Sequence, residues 1–326
     1  MQQEGVRPNS VTFVGVLNAY ASVVALEESR CVHQQIVECG WDSDVFVGSS
    51  LVDMYAKFGS IEDASRVFKK LPSRDVVTWT AIILGHVQSG QGQKALELFQ
   101  QMQQEGVRPK SVTIVGVLNA CASIVALEEG RCVHQQIIEH GWDSDVFVAN
   151  SLIDMYAKCG SMEDAWRVFN KMPSRDVVTW TTILGGCAMH RHGKEALKLF
   201  EQMCKEGVQP DDITFVCLLS ACSHTGLVDE GMHSFALIHG NMEMAERVAK
   251  RIIEMEPENA AGYVLLSNIY TAAGSRHLCE NVEWQRKGKG AKKQLGRTWI
   301  EVNNEVHAFV VEDQDHPQMI ESNAEL

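Results

Sequence analysis

An ungapped period of 101 residues constrains the fold of this chain more than any other feature. Gly5-Val6-Arg7-Pro8 returns as Gly106-Val107-Arg108-Pro109, and again as Gly207-Val208-Gln209-Pro210. A long internal repeat without gaps is typical of stacked structural units, each of which contacts only its neighbours. The 326-residue chain is therefore predicted to be a repeat array and not a set of ordinary globular domains.

Each 101-residue block divides into units of 35, 35 and 31 residues. The central block contains the units 76–110, 111–145 and 146–176. The flanking blocks supply 10–44, 45–75 and 177–211, and an incomplete unit begins at Asp212. Units of this length match helix-pair repeats.

Apolar residues recur at helical spacing twice in each unit. In the unit 76–110, the first stripe is Trp79, Ile82, Ile83 and His86, and the second stripe is Ala95, Leu98, Phe99 and Met102. This spacing predicts two amphipathic helices. Ser161 and Asp164, like their counterparts one block earlier, are typical of a capping box at the start of the second helix. A single pair cannot bury both stripes, so the pairs must stack.

Composition narrows the function classes. Hydrophobic content of 45% and charged content of 22% suit a folded protein, and no run of residues predicts a membrane span. The net charge of −13 disfavours non-specific attraction to nucleic acid, although a local groove can still bind it. The ten cysteines, including Cys121, Cys159 and Cys217, are interpreted as reduced core thiols.

The period breaks after Gly231. Helices are predicted around residues 242–255 and 263–270, followed by a basic connector at 286–293 and a hairpin formed by 298–302 and 305–311 around Asn303-Asn304. The predicted domains are a partial repeat tail at 1–9, repeats at 10–235, a helical extension at 236–290, and a short extension with a loose end at 291–326. Because the chain begins inside a repeat, an upstream part with any transit peptide is expected to be missing.

Several segments resemble one family. The unit 177–211, from Val177-Val178-Thr179-Trp180 to Gly207-Val208-Gln209-Pro210-Asp211, resembles a pentatricopeptide repeat. The mixture of 35- and 31-residue units resembles the plant subclass with long, short and standard repeats. Residues 261–270 and 298–302 resemble its E-type carboxy-terminal extension, in a truncated and internally deleted form. The resemblance implies an all-α fold, a right-handed α-solenoid superhelix of helix-turn-helix repeats with a short hairpin-like segment at its end.

The resemblance also implies a function. Such proteins bind single-stranded RNA in mitochondria or chloroplasts, often for cytidine-to-uridine editing, and one base is read per repeat. The fifth and last residues of each repeat read the base, and the second packs against it. The implied reading pairs are Ser49 with Asp75, Thr80 with Lys110, Asn150 with Asp176, and Thr181 with Asp211. The implied packing residues are Phe46, Val77, Phe147 and Val178.

By the same analogy, Asn with Asp favours uracil, Thr with Asp favours guanine, and the Ser49 pair leans to guanine. Lys110 departs from the usual pairs, so its repeat is assigned no base. Val14, Val115 and Val216 occupy the fifth position in the remaining repeats. Since valine cannot form a hydrogen bond, those repeats are expected to provide spacing.

Three alternatives remain open at this point. The aspartates Asp44, Asp75, Asp145, Asp176 and Asp211 also suit helix N-caps, and the two roles are compatible. The repeats could form a scaffold for protein partners, as helical-pair arrays also bind peptides. The chain could also be a truncated or internally deleted product, with weak packing at residues 235–241.

No enzyme activity is expected. No histidine is followed by glutamate two residues later, and Cys-x-x-Cys does not occur, so the zinc deaminase signature is missing. Gly90-Gln91-Gly92 lacks the preceding strand of a dinucleotide fingerprint, and Cys31 and His33 lack a second pair at zinc spacing. We therefore expect no metal, cofactor, membrane or small-molecule substrate. The expected partners are single-stranded RNA and a trans-acting deaminase or editing factors bound through the C-terminal extension.

Overall fold

The computed structural model describes residues 8–23, 26–225, 227, 231, 242–255, 257, 260–272, 276–291, 297–302 and 305–310. The predicted weak packing at 235–241 and the predicted loose end of the chain lie outside these residues. The chain forms two compact units, Met1–Asp143 and Ser144–Leu326.

The first unit contains four helix pairs. Its helices are α1 (Ser10–Val23), α2 (Leu26–Glu38), α3 (Val45–Lys57), α4 (Ile61–Lys70), α5 (Val76–Gln88), α6 (Gly92–Gln104), α7 (Ser111–Ile124) and α8 (Leu127–Glu139). The first helices of consecutive repeats pack side by side, α1 on α3, α3 on α5 and α5 on α7. Each pair also packs internally, so every apolar stripe faces a neighbour.

The second unit continues the same arrangement and adds the extension. Its helices are α9 (Val146–Lys158), α10 (Met162–Lys171), α11 (Val177–Met189), α12 (Gly193–Lys205), α13 (Asp212–Thr225), α14 (Met242–Met255), α15 (Ala260–Ala272) and α16 (Arg276–Gly288). Helix α9 packs on α11 and α11 on α13, while α14 contacts α13 and α15. The all-α repeat fold is confirmed.

The predicted hairpin is also confirmed. Strand β1 (Arg297–Val302) pairs antiparallel with β2 (Glu305–Val310), and Val302 lies opposite Glu305. The predicted basic connector at 286–293 is wrong in its first part, because α16 extends through Arg286 and Lys287. Val282 is buried on this helix and Arg286 pairs with Glu283, so the helix has the internal support that a linker would lack.

The first helices are held by buried aromatic rings and aspartate caps. Trp79 and Trp180 are fully buried, and each meets a phenylalanine of the preceding second helix edge to face. Tyr55 and Tyr156 are buried too, which confirms the core role predicted for the four aromatic residues. Edge-to-face contacts contribute about 0.5–1.5 kcal/mol beyond burial.

The second helices begin where the sequence predicts, but not through a capping box. Ser161 and Ser60 occupy the N-cap positions and accept no backbone hydrogen bond. Their hydroxyls donate to the Asp164 and Asp63 carboxylates instead, at 2.8 and 2.9 Å. Because the hydroxyl proton points at an anion, the box mechanism is wrong at both sites.

Candidate nucleic-acid interface

The second residue of every first helix leaves its apolar side chain in solvent. In the first unit these residues are Val11, Phe46, Val77 and Val112, and in the second unit they are Phe147, Val178 and Ile213. Phe46 is 72% exposed and Phe147 80%. An exposed phenylalanine beside a tightly packed core is unusual, and its repetition at one repeat position marks a surface with a common purpose. All four predicted packing residues belong to this set.

Ser49 lies in the seam between the first helices α3 and α5. Its side chain is only 5% exposed. Its hydroxyl forms a short hydrogen bond with the hydroxyl of Thr78, which itself donates to Oδ1 of Asp75, and lies 3.3 Å from the same Asp75 oxygen. The structure thus brings together the two members of this predicted pair, but it places Ser49 deeper than a groove-lining residue.

Asn150 occupies the same position between α9 and α11, and it is 8% exposed. Its side chain interacts with the Asp176 carboxylate and contributes to lowering the pKa of that group. Its Oδ1 atom is buried without a hydrogen-bond partner among the described residues. A buried acceptor without a partner costs about 1–3 kcal/mol, so this carbonyl favours any ligand that can donate to it.

Thr80 and Lys110 border a groove of about 170 Å³ with the exposed Val77 and Val112. The Thr80 hydroxyl donates to the Val76 carbonyl at 2.6 Å and bonds the Thr113 hydroxyl at 2.7 Å. The Lys110 side chain is exposed. The Thr80 hydroxyl, the Lys110 ammonium group and the apolar valine side chains are suited to bind a nucleotide. Thr80 and Lys110, both among the described residues, are not linked to each other by a direct hydrogen bond.

Thr181 and Asp211 are held by separate partners. The Thr181 hydroxyl donates to the Val177 and Val178 carbonyls, each at 2.9 Å. Asp211 Oδ1 accepts from the backbone N–H of Thr214 at 2.8 Å and from its hydroxyl at 2.7 Å. Both side chains are partly exposed.

The aspartates also cap the helices that follow them. Asp44, Asp75, Asp145, Asp176 and Asp211 each accept a backbone N–H of the next first helix. Burial raises the pKa of Asp75 and Asp176, but hydrogen bonds from Thr78 and Thr179 outweigh it, so each pKa lies below its ordinary value. Both carboxylates are therefore ionised acceptors at neutral pH.

The sequence reasoning missed the third residue of the first helices. Thr78, Thr113, Thr179 and Thr214 are fully buried polar residues, and each contacts the last residue of the preceding repeat. Asn9 and Thr12 form the same link at 2.9 Å. The recurrence of Thr three residues after the last residue of a repeat is a signal that could identify them.

The described residues hold no group of three or more His, Cys, Asp or Glu side chains placed to bind a metal ion. None of the helices in the described part of the chain is long and apolar enough to span a membrane.

Comparison with known families supports the resemblance. The PPR repeat family matches residues 74–123, 144–177 and 175–224, and a further PPR repeat model matches 49–76. The E motif matches residues 239–301.

Curated relatives share the repeats over the whole chain. Pentatricopeptide repeat-containing protein At2g03880, mitochondrial, of Arabidopsis thaliana is 36% identical and covers 100% of this chain and 60% of its own length. CRR2, chloroplastic, from the same plant is 34% identical, covering 100% of the chain and 59% of its own length. The chain spans between 38% and 61% of the length of the curated relatives it matches. Their names agree with the organelles that the resemblance implies.

Two solved structures of PPR10, one described as the protein from maize and one as its complex with an 18-nt psaJ RNA element, are similar at 17% identity with TM-scores of 0.44 and 0.47. They cover 90% of this chain, and 51% and 47% of their own. The chain belongs to the pentatricopeptide repeat proteins and carries their E motif.

Proposed function

We propose that this chain is an RNA-binding adaptor of a mitochondrion or chloroplast, which recognises a short single-stranded RNA and directs its cytidine-to-uridine editing. Each polar pair contacts one base, and an enzyme is recruited in trans. One observation carries this proposal: a polar pair and an exposed apolar side chain occur together in four repeats, at the same positions of each. Unstacked bases need both an apolar surface for the ring and polar groups for the edge.

The Asn150 repeat has the sharpest chemistry. Uracil presents an N–H donor between two carbonyl acceptors, and the orphan Asn150 Oδ1 needs a donor. Phe147, one helical turn before Asn150, supplies an exposed ring on which the base can lie. The amide must turn outward from the seam to meet that base. The hydrogen bond that Asn150 Oδ1 then accepts contributes to the free energy of binding.

The extension supplies a surface for the recruited enzyme. Helices α14, α15 and α16 enclose a groove of about 390 Å³ with Leu266, Tyr270 and Val282 among its lining residues. Trp284 on α16 is 76% exposed. A groove with apolar lining residues and a large exposed aromatic ring on the same helices are typical of a protein contact. This groove also supports the second candidate function, a protein-binding scaffold.

Titration of the purified chain against U-rich, G-rich, A-rich and C-rich RNA oligonucleotides at two salt concentrations tests the proposal. An adaptor should prefer one composition at both salt concentrations, with a salt slope set by its few phosphate contacts. A good base contact contributes about 1–3 kcal/mol of discrimination. Equal binding to all four that disappears at the higher salt would contradict sequence reading, and no binding would favour the scaffold.

A further inference from the structure

We infer that the buried threonine at the third position of a first helix is a positioning residue for base selection: in three cases it fixes the reading aspartate before it, and at two seams it bonds the reading hydroxyl. The inference rests on the proposed function. The residues are Thr78, Thr113, Thr179 and Thr214, and none is exposed.

Three of the threonines each donate two hydrogen bonds to one carboxylate oxygen, one from the backbone N–H and one from the hydroxyl. Asp176 Oδ1 accepts from the backbone N–H and the hydroxyl of Thr179, both at 2.8 Å. Asp75 Oδ1 accepts the same two bonds from Thr78, at 2.9 and 2.7 Å. Two donors on one oxygen fix the rotation of the carboxylate. Its second oxygen is then oriented as an acceptor for a base N–H.

The hydroxyls extend this control to the fifth residue in the first unit. The Thr78 hydroxyl lies in hydrogen-bond contact with Ser49, and the Thr113 hydroxyl bonds that of Thr80 at 2.7 Å. Thr113 also accepts the backbone N–H of Lys110 at 3.3 Å. One buried hydroxyl therefore contacts both members of a reading pair, although neither member is adjacent to it in sequence.

The distribution of these threonines follows the reading residues. Threonine follows the repeats whose fifth residue is polar, Ser49, Thr80, Asn150 and Thr181. The repeats with Val14 and Val115 at the fifth position are followed by Val47 and Val148. Asp44 and Asp145 still cap their helices through backbone N–H groups there. Capping therefore does not need the threonine, and the hydroxyl is present where a polar pair is present.

Burial makes the arrangement effective. A hydroxyl without solvent access cannot exchange its partner for water, and hydrogen bonds to a charged group are the stronger kind. Without the hydroxyl, the carboxylate keeps its backbone bond but gains freedom to rotate. The contact that discriminates between bases is then averaged over several orientations.

The test uses Thr179→Val, which preserves shape, and Thr179→Ser, which preserves the hydroxyl. Thr182→Val on the same helix is the matched control, because that hydroxyl donates to the Val178 carbonyl at 2.7 Å and not to the reading pair. The purified full chain selects from a randomised single-stranded RNA pool. Asn150→Ser identifies which position of the bound sequences belongs to this repeat. Circular dichroism confirms that each variant is folded.

Thr179→Val should lower the base preference at that one position by about fivefold to tenfold, the loss expected from one typical hydrogen bond. Thr179→Ser and Thr182→Val should keep the preference within about twofold. A folded Thr179→Val with unchanged preference would overturn the inference while leaving sequence reading intact. A wild-type chain without any preferred base would instead contradict the proposed function. Thr214→Val repeats the test at Asp211 and is judged by the same criteria, so a misfolded Thr179→Val does not prevent a decision.

Discussion

The two 31-residue repeats share their scaffold and differ at the seam. Residues 45–75 and 146–176 differ at 8 of 31 positions, and both fold into the same helix pair with the same aspartate cap. In the first copy, the Ser49 hydroxyl has partners in Asp75 and Thr78. In the second copy, Asn150 Oδ1 is buried without a partner among the described residues. The same helix-pair scaffold therefore contains one seam whose polar side chain has hydrogen-bond partners, and one seam whose buried carbonyl can accept a hydrogen bond from a ligand.

The largest expected effect tests whether the scaffolds are equivalent. Trp79→Ala and Trp180→Ala each remove a fully buried ring that meets Phe68 or Phe169 at 4.8 or 4.9 Å between centroids. Each should lower the free energy of unfolding by about 3–5 kcal/mol, the usual cost of a large core cavity. Urea denaturation measures this loss. Losses that differ by more than about twofold would break the equivalence.

The second prediction has a smaller effect and concerns two sequence differences between the copies that compensate each other in packing. A Cβ atom added at Gly48 would overlap Cδ2 of Leu71, while the second copy has Ala149 and Met172 at the corresponding positions. Gly48→Ala alone should destabilise by about 1–3 kcal/mol through overpacking. Adding Leu71→Met should restore most of this stability, because the unbranched side chain can move aside.

Thermal unfolding of the two single variants and the double variant completes that cycle. A Leu71→Met effect that is the same in the wild-type chain as in Gly48→Ala would show that the two differences are independent.

The third prediction concerns the seam in the free protein. Asn150→Ser removes the orphan carbonyl and should stabilise the free chain by about 1 kcal/mol, whereas Ser49→Asn should destabilise it by a similar amount. Chemical denaturation without RNA measures both changes. A destabilising Asn150→Ser would show that the amide is satisfied and would remove the chemical difference between the copies.

These comparisons also show what sequence could predict. The period and the apolar stripes were enough for the helix pairs, because a stripe that cannot be buried within one pair forces stacking. Phe46 and Phe147 are exposed, as a contact with bases requires, and their role in packing against bases stays a prediction. The depth of Ser49 and Asn150 could not be predicted, since it depends on the contact between helices from different repeats. Helix α16 is not predicted from the sequence, because its many charged residues leave no clear apolar stripe around the buried Val282.

The prediction with the smallest effect concerns how the free energy of unfolding depends on pH. Burial lowers the pKa of His190, with the Ala157 carbonyl raising it and His192 lowering it, so the folded state favours the neutral ring. Its contribution is fully present above about pH 6.5, the ordinary value, and is lost as pH falls through the lower folded pKa. Asp176 stays ionised in this window because its own pKa is lowered.

Urea midpoints at pH 7.5 and 5.5 measure this dependence. The repeat 76–110 has Ser89 at the position that corresponds to His190 in the repeat 177–211, so His190→Ser is the matched variant. It should lose stability at pH 7.5 with the Ala157 hydrogen bond, and it should show a smaller pH difference than the wild-type chain. An unchanged pH difference would assign the titration to other histidines, such as His33 or His86, whose pKa values burial also lowers.

The central claim is that the polar residue at the seam selects the base. The most direct measurement is selection from a randomised single-stranded RNA pool by the wild-type chain and by the reciprocal exchange Ser49→Asn with Asn150→Ser. The wild-type chain and the exchanged variant have the same composition and the same net charge, so their non-specific attraction to RNA is matched. The account predicts that the two corresponding base preferences exchange places along the bound sequence. Bound sequences that are the same for both chains would contradict it.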